Sequence, residues 1–513
     1  MHKYIMVIVA AVLMTALQPV QAQESVLTVA VASEMTSLEG YLASSEANCN
    51  GCINVVEPLV TRDFETGEMV PYLATSWEVV DDNTLEFTLR EGVTYHDGSA
   101  FNAESVAAYV NYVYDPANGL PASDSLTNVI TAEVVDEFTV RIVAENADPI
   151  LLQKMYTVNL ESGQLITESL DEYPTKLVGT GPYIFEEWRR GEQISFVANP
   201  DWWGNADAEA ARGTVAYDRL VYRFIPDDTV RAAAAQAGEV DIAQFVTPDD
   251  CEGAASMDDL RCESLASVET MFMRMGNGGF MSDIRVREAM IIGIDKELIT
   301  DTIMGGTATV TGQIVIPVTT GYNPDLPPYP YDPERASALL EEAAADGIDV
   351  AQPITIASRE GLHPRHDEVA EAVAAMLAEV GFTTSVEVLP PDVFNPTWSS
   401  YSDDPEQPGN WIAVHLHGNE VLDLYFSGIR YFGCDGSSSL YCDEDMDAMW
   451  AAANLLSGEE RDLALQEAAA VAYNDYGNGI LAHLNFSYLV SEDVAWVPQL
   501  DHRIQAKEAA PAS

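Results

Sequence analysis

Leu85-Glu-Phe-Thr-Leu-Arg-Glu-Gly-Val-Thr-Tyr-His-Asp-Gly98, with Phe101-Asn-Ala103 just beyond it, is the stretch whose reading decides the fold. Thr84 to Arg90 alternates with period two, the mark of a strand with one buried face. His96-Asp97-Gly98 ends the strand. A histidine beside an aspartate suggests acid–base chemistry, but no nucleophile or third orienting group accompanies it, so a turn with a satisfied histidine is expected. Asn102 is placed to cap a helix running to Tyr114, with Glu104 in its first turn. Phe138 to Val143 alternates again, so the segment reads strand, turn, helix, strand.

Working outward, Val26-Leu-Thr-Val-Ala-Val-Ala32 reads as a buried strand, and Ile184–Trp188, Ile194–Ala198 and Leu220–Ile225 as further strands. Gly179-Thr-Gly181 lacks the downstream glycine and lysine of a phosphate-binding loop, so a hairpin turn is expected there. Asp227 or Asp228 caps a helix over Thr229–Ala237 that stops at Gly238, and the strand Val240–Phe245 follows at once. Later segments repeat this alternation. A helix spans Arg285–Ile294, and another opens at Asp332-Pro333 and stops at Gly347. A short strand spans Ile354–Ala357, and Val369, Val373, Met376, Leu377 and Val380 recur at helical spacing before the strand Thr383–Leu389. Two α/β lobes follow from this pattern. The tail Lys507–Ser513 is small and polar and is expected to fray.

The chain opens with Lys3, an uncharged apolar run over Tyr4–Leu17, the breaker Pro19 and the small residues of Val20-Gln21-Ala22. This is the layout of a cleaved secretory signal over residues 1–22, and the run is shorter than the ~20 residues that span a bilayer. The 82 acidic residues against 24 basic ones give a formal net charge of -58. Such a surface repels phosphate backbones and anionic headgroups, which excludes nucleic acid and membrane surfaces as partners. The acids are spread along the chain, as in a solvated coat. Six cysteines fall into three local pairs: Cys49 with Cys52, Cys251 with Cys262, and Cys434 with Cys442. An even count in an exported chain points to disulfides. The lone Cys49-Asn-Gly-Cys52 is a thin zinc signature, and a structural disulfide is the expectation.

Several short motifs recur in a fixed order. They are Ser37-Leu38 after the opening strand, Glu57-Pro-Leu-Val60, Tyr72-Leu-Ala-Thr-Ser-Trp77, the Leu85–Ala103 stretch, Gly179-Thr-Gly-Pro-Tyr183, Asn199-Pro-Asp-Trp-Trp203, Gly238-Glu-Val-Asp241 and Asp283-Ile-Arg-Val-Arg-Glu-Ala289. In this order the chain resembles the family 5 extracellular solute-binding proteins of ABC transporters, the dipeptide, oligopeptide and nickel-binding type. Residue chemistry alone assigns most of these motifs to the scaffold. Trp202-Trp203 reads as a buried packing cluster, and Arg285 and Arg287 as salt-bridged helix residues.

The resemblance implies an α/β, two-lobed periplasmic binding protein fold of class II type, with an extra α/β domain in the N-terminal lobe. Lobe I would comprise 23–56, 180–267 and 486–513, the extra domain 57–179, and lobe II 268–485. It also implies a monomeric periplasmic receptor without a cofactor, closing by hinge motion on a small organic ligand and docking on the permease subunits in the inner membrane.

In peptide-binding relatives an aspartate after a Trp-x-x pattern holds the peptide ammonium. Here the comparable stretch is Trp411-Ile-Ala-Val-His-Leu-His-Gly-Asn-Glu-Val-Leu-Asp423, and the expected position falls near Val414 or His415. Glu420 or Asp423 is then the substitute anion. On an extended segment His415 and His417 face one side, and with Asn419 and Glu420 they form the most unusual polar run in the chain. Aromatic faces from Trp398, Tyr401, Trp411, Tyr425 and Tyr431 accompany them, with Arg430 among them. Arg359 follows a strand at the end where α/β clefts open, suited to a ligand carboxylate. Glu34 and Met35 follow the first strand of lobe I. The ligand set is therefore Glu34, Met35, Arg359, Trp398, Trp411, His415, His417, Asn419, Glu420 and Tyr431. A nickel-type metal carrier built on His415 and His417 is the first alternative. A secreted hydrolase is the second, although the chain contains neither GxSxG nor HExxH.

Overall fold

The computed structural model describes residues 24–512 apart from 36, 45–48, 50, 65, 121, 123–125, 127, 391–392 and 395–409. The expected signal segment, Trp398 and Tyr401 lie outside the described residues. The chain opens with β1 (Val26–Val31). It then builds an antiparallel sheet from β2 (Ala74–Asp81), β3 (Thr84–Leu89), β4 (Ile130–Asp136) and β5 (Thr139–Ala144), ordered β2-β3-β5-β4. Helix α1 (Ala103–Val113) covers this sheet, and Asn102 caps it by accepting from the Ser105 amide at 2.9 Å. These elements enclose their own apolar core around Phe87, Tyr109, Val140 and Ile142.

A hairpin follows, β6 (Tyr183–Arg189) and β7 (Gln193–Ala198), then β8 (Arg219–Phe224), α2 (Asp228–Gln236), β9 (Ile242–Gln244) and the long β10 (Leu260–Arg274). Lobe II contains α3 (Ile284–Ile292), β11 (Ala308–Val310), α4 (Pro333–Ala345), β12 (Pro353–Arg359), α5 (His366–Val380), β13 (Thr383–Leu389), β14 (Trp411–Gly418), α6 (Leu424–Phe432) and α7 (Gly458–Asn474). The chain returns through β15 (Gly479–Ser491). One 11-stranded sheet, ordered β6-β7-β8-β1-β9-β15-β10-β14-β12-β13 with β11 on β15, runs through both lobes.

The lobes are joined through β10 and β15, which pair antiparallel along most of their length. The register breaks between Ala266↔Asn485 and Thr270↔His483, so Ser267, Val268 and Glu269 form a bulge. Its polar groups are satisfied locally: Ser267 Oγ donates to the Leu484 carbonyl at 3.0 Å, and the Glu269 amide donates to Ser267 Oγ at 3.0 Å. A bulge bends and twists its strand, which suits the crossing point between two lobes.

Most of the sequence motifs converge on one buried carboxylate. Glu57 is 2% exposed and accepts from Tyr72 Oη at 2.9 Å, Thr180 Oγ1 at 2.7 Å, Trp202 Nε1 at 3.0 Å and Trp203 Nε1 at 2.9 Å. The His96 turn braces the same region, its Nε2 bonded to the Gly181 carbonyl at 2.9 Å. Arg285 and Arg287 are salt-bridged as expected, to Asp283 at 2.6 Å and to Asp475 at 2.7 Å.

All six cysteines are joined in the local pairs. Cys49 bonds Cys52, and both lie buried in the lobe I core. Cys251 bonds Cys262, which ties the short helix Pro248–Ala254 to the start of β10. Cys434 bonds Cys442, closing the loop that leaves α6. The three disulfides are scaffold features. They leave no free thiol for a metal or a ligand.

Two expectations are corrected. Gly179-Thr-Gly181 is not a hairpin turn but a close backbone crossing: a Cβ on Gly179 would stand 1.9 Å from the Val55 carbonyl oxygen. The tail does not fray at its start. Lys507 is 7% exposed, and its Nζ donates to Tyr72 Oη at 2.7 Å and to the Ala211 carbonyl at 3.1 Å, while Ala509 is 1% exposed.

Glu57→Ala leaves four donors, three of them buried, without their acceptor. Hydrogen bonds to a charged group contribute ~1.5–3 kcal/mol each and buried donors are costly to orphan, so a loss of at least ~3 kcal/mol is expected. Urea unfolding should show a lower midpoint at unchanged slope; an unchanged midpoint refutes the role assigned to Glu57.

Candidate functional site

In lobe I the parallel strands β1, β8 and β9 end along one edge, the side on which open α/β sheets present ligand sites. Phe245, directly after β9, holds φ at 53° and stacks on Phe486 of β15 at 4.2 Å. A left-handed backbone at a bulky residue is strained and persists only where its surroundings fix it. Phe486 also meets His502 of the C-terminal segment at 4.9 Å and His363 of lobe II at 5.4 Å. A 320 Å³ cavity separates the lobes here, lined by Asp227, Asp228 and Phe245 from one side and by His363, Arg365 and His366 from the other.

Contacts cross between the lobes on both flanks. Arg365 Nη2 pairs with Asp249 at 2.6 Å on one side. On the other, Arg62 Nη2 donates to the Val421 carbonyl at 2.9 Å, and Asn454 Nδ2 donates to the Ala147 carbonyl at 3.3 Å. Ile150 packs with Val421 and Phe426 between them.

Between these flanks, at the bulge of β10, lie three ionisable groups. Glu269 is paired in register with Gly418 of β14, and Glu420 follows two residues later. A Cβ on Gly418 would stand 2.7 Å from Glu269 Oε1 and 3.1 Å from Glu420 Oε1. The two carboxylates therefore approach within about 6 Å, a range at which like charges raise each other's pKa. A side chain at 418 would displace them. Burial, then the Glu420 charge, pushes the Glu269 pKa up to about 8, opposed by Arg359. Burial also raises Glu420 and lowers Arg359.

The side chains of Glu420 and Arg359 make no hydrogen bond or ion pair to any other described residue, and Arg359 Nε is buried without a partner. Glu269 has only His502 Nε2, at 3.9 Å. Burial depresses that imidazole to about 3, so it is neutral and offers no countercharge.

The other expected residues sit as follows. His415 and His417 share one face of β14, as the alternation implies. His415 packs between Phe272 at 5.9 Å and Phe394 at 6.2 Å. His417 is 5% exposed, bonded to Ser427 Oγ at 2.7 Å and set against Tyr431 at 4.6 Å. Asn419 Nδ2 reaches the same Ser427 at 2.7 Å and the Asp423 carbonyl at 2.9 Å, so both residues fasten the start of α6. Tyr431 meets Phe272 edge-on at 5.1 Å, and Trp411 lies against Phe394 at 5.9 Å. Asp423 is held by Arg461 at 2.9 Å, which leaves Glu420 as the available anion. In lobe I, Glu34 accepts from Trp188 Nε1 at 2.9 Å and the Gly191 amide at 3.0 Å, and Met35 is 2% exposed in the core. Among the described residues no group of three or more His, Cys, Asp or Glu is arranged to hold a metal ion.

Glu269, Phe245, Phe486 and His502 were not anticipated. Glu269 had a readable signal: on a strand it shares a face with Met271 and Met273, both buried, and an acid on an apolar face calls for a partner.

The profile of the bacterial extracellular solute-binding proteins, family 5 Middle, matches residues 68–432. The chain belongs to this family. It is the solute-binding component of an ABC-type importer. It is 25% identical over 449 residues to the probable di/tripeptide-binding protein 5 of Pseudomonas aeruginosa strain UCBPP-PA14, covering 80% of this chain and 81% of that one. It is 29% identical over 372 residues to the glutathione-binding protein GsiB of Shigella boydii serotype 4, covering 70% and 69%. Its fold matches the dipeptide-binding protein of a Pseudoalteromonas species in complex with Met-Leu, with a TM-score of 0.82 at 20% identity over 95% of this solute-binding protein and 100% of that chain.

The raised Glu269 pKa carries a pH signature. The folded, ligand-free state keeps a proton up to about pH 8, which the unfolded chain loses near 4.3. Stability attributable to this site therefore falls as pH rises from about 4 to about 8. Glu269→Gln has no such slope. Denaturant unfolding should show the variant gaining on wild type between pH 5 and pH 8.5, by on the order of a few kcal/mol; parallel curves contradict the assignment.

Proposed function

We propose that this solute-binding protein captures a peptide-type zwitterion between its lobes. The observation that carries the reading is a group of ionisable side chains, the carboxyls of Glu420 and Glu269 and the guanidinium of Arg359, that make no side-chain hydrogen bond to another described residue, Glu269 having only the neutral His502 at 3.9 Å. Buried charges left unpaired are costly, and a ligand bearing the complementary charges removes that cost. Glu420 receives the ammonium and Arg359 the carboxylate. Trp411, His415, His417, Asn419 and Tyr431 form the packed backing that fixes Glu420, and Glu34 and Met35 shape the lobe I edge. The names of the di/tripeptide-binding and glutathione-binding relatives agree with such a ligand. Binding stabilises the closed form, which docks on the permease, and the solute leaves chemically unaltered. The protein works as a periplasmic monomer, exported through its cleaved N-terminal segment, and its charge of -58 keeps nucleic acid away.

Titration calorimetry tests this with Ala-Leu, N-acetyl-Ala-Leu and Ala-Leu amide. Each blocked peptide should bind at least about tenfold more weakly than the free one, equivalent to ~1.4 kcal/mol. Arg359→Gln should lose the discrimination against the amide, and Glu420→Gln that against the acetylated peptide. Equal binding of all three peptides by wild type refutes the zwitterion reading.

A further inference from the structure

A neutral zwitterion needs one carboxylate and one guanidinium, yet the cleft presents two carboxylates. Resting on the peptide reading above, we infer that Glu269 is a specificity-determining residue that turns the ammonium end of the cleft into a two-carboxylate cradle selecting solutes with a second positive charge, namely peptides whose first residue is basic.

Three observations carry this. First, both carboxylates touch the bare face of Gly418, so a cationic group entering there meets both. Second, neither makes a side-chain hydrogen bond to another described residue, and the Arg503 and Arg430 guanidiniums act on Glu420 only through their charge. The groups facing Glu269 are Glu420 from the loop after β14, Arg359 from the end of β12, Tyr431 from α6 and His502 from the C-terminal segment. Of these only Arg359 is a countercharge, and it makes no ion pair. Third, Glu269 sits within the bulge where β10 passes between the lobes, so a cation held there is bound by the hinge itself. With one carboxylate engaged by an α-ammonium and the guanidinium by an α-carboxylate, the second carboxylate stays unpaired unless protonated. A neutral peptide leaves it protonated. A basic peptide ionises it, because an opposite charge within ~4–6 Å favours the charged form. The proton then leaves to solvent as the cation arrives.

The test is calorimetry on the full mature protein with Lys-Leu and Ala-Leu, for wild type and Glu269→Gln. Wild type should hold Lys-Leu at least about tenfold more tightly than Ala-Leu, and in Glu269→Gln the ratio should fall to within about threefold. Buffers of different ionisation enthalpy at pH 7 supply a second readout: Lys-Leu binding should release a proton in wild type and not in the variant, while Ala-Leu should release none. A structural role for Glu269 moves neither the ratio nor the proton count. Equal affinities in wild type, or a preference that survives in Glu269→Gln, overturn the inference. If both dipeptides bind without preference, only the cradle falls; if neither binds to folded wild type, the peptide reading falls with it.

Discussion

The carboxylate of Glu57 is the constraint on which the lobe I architecture depends. Its four donors come from three separate parts of the chain, Tyr72, Thr180 and the Trp202-Trp203 pair. Each donor alone is an ordinary polar group in a loop. Together they fix where the inserted domain leaves lobe I and where it returns. An ionised carboxylate can lie almost wholly buried only if its lone pairs are satisfied, and here each oxygen accepts two bonds. The glycines at 179 and 181 let the returning strand approach Val55 closely enough for Thr180 to reach its acceptor. The C-terminal segment is tied to the same centre, because Lys507 donates to the Tyr72 hydroxyl that itself donates to Glu57.

The cleft obeys the opposite rule. The Glu57 carboxylate is fully bonded, whereas near Gly418 Glu420 and Arg359 make no side-chain hydrogen bond or ion pair to another described residue. Buried polar groups in folded proteins are nearly all paired, so an unpaired cluster marks a place where the partner comes from outside. The contrast separates scaffold from site inside one chain. Asp423 and Glu420, three residues apart, fall on opposite sides of it. Asp423 is bound by two guanidinium nitrogens of Arg461, at 3.2 and 2.9 Å, and anchors α6. Glu420 makes no side-chain hydrogen bond or ion pair to another described residue, and the Arg503 and Arg430 guanidiniums act on it only through their charge.

The scaffold was legible in the sequence, while the site was legible only in half. Strand alternation at Thr84–Arg90, the Asn102 cap and the helical spacing of Val369 to Val380 are local signals, and each element formed near its expected limits. The pairings of Cys251 with Cys262 and of Cys434 with Cys442 were legible for the same reason, since each bridge spans only a short loop. Of the proposed site, Arg359 and Glu420 were readable in the sequence, the first at a strand end and the second in an unusual polar run. Glu269 was not, because its closeness to Glu420 arises from pairing between β10 and β14, far apart in sequence. His417 and Asn419 looked like ligand groups because the sequence does not say which face of β14 is covered. Helix α6 covers it and supplies Ser427 to both. Glu34 was drawn away by the β6–β7 hairpin, whose Trp188 and Gly191 claim its carboxylate.

On the proposed reading, closure and recognition meet at one backbone position. Val421 follows Glu420 directly, and its carbonyl accepts from Arg62 of the inserted domain while its side chain packs on Ile150. On the proposed reading, a ligand held by Glu420 steadies the loop that Arg62 grips. A ligand shifts a conformational equilibrium only by its differential affinity for the two states, so contacts formed in the closed form alone set the size of the response. Arg62 to Val421 on one flank and Arg365 to Asp249 on the other link the parts that the proposed closure would bring together. They differ in strength. The Arg365–Asp249 pair has its carboxylate 76% exposed, and exposed pairs contribute ~0–1 kcal/mol, so it is a weak, salt-sensitive restraint. Arg62 is 6% exposed and bonds a buried carbonyl, so its loss orphans a buried group and costs more. Of these two contacts the better buried one joins Val421 to Arg62 of the inserted segment, so that segment as well as lobe I bears on the loop after β14.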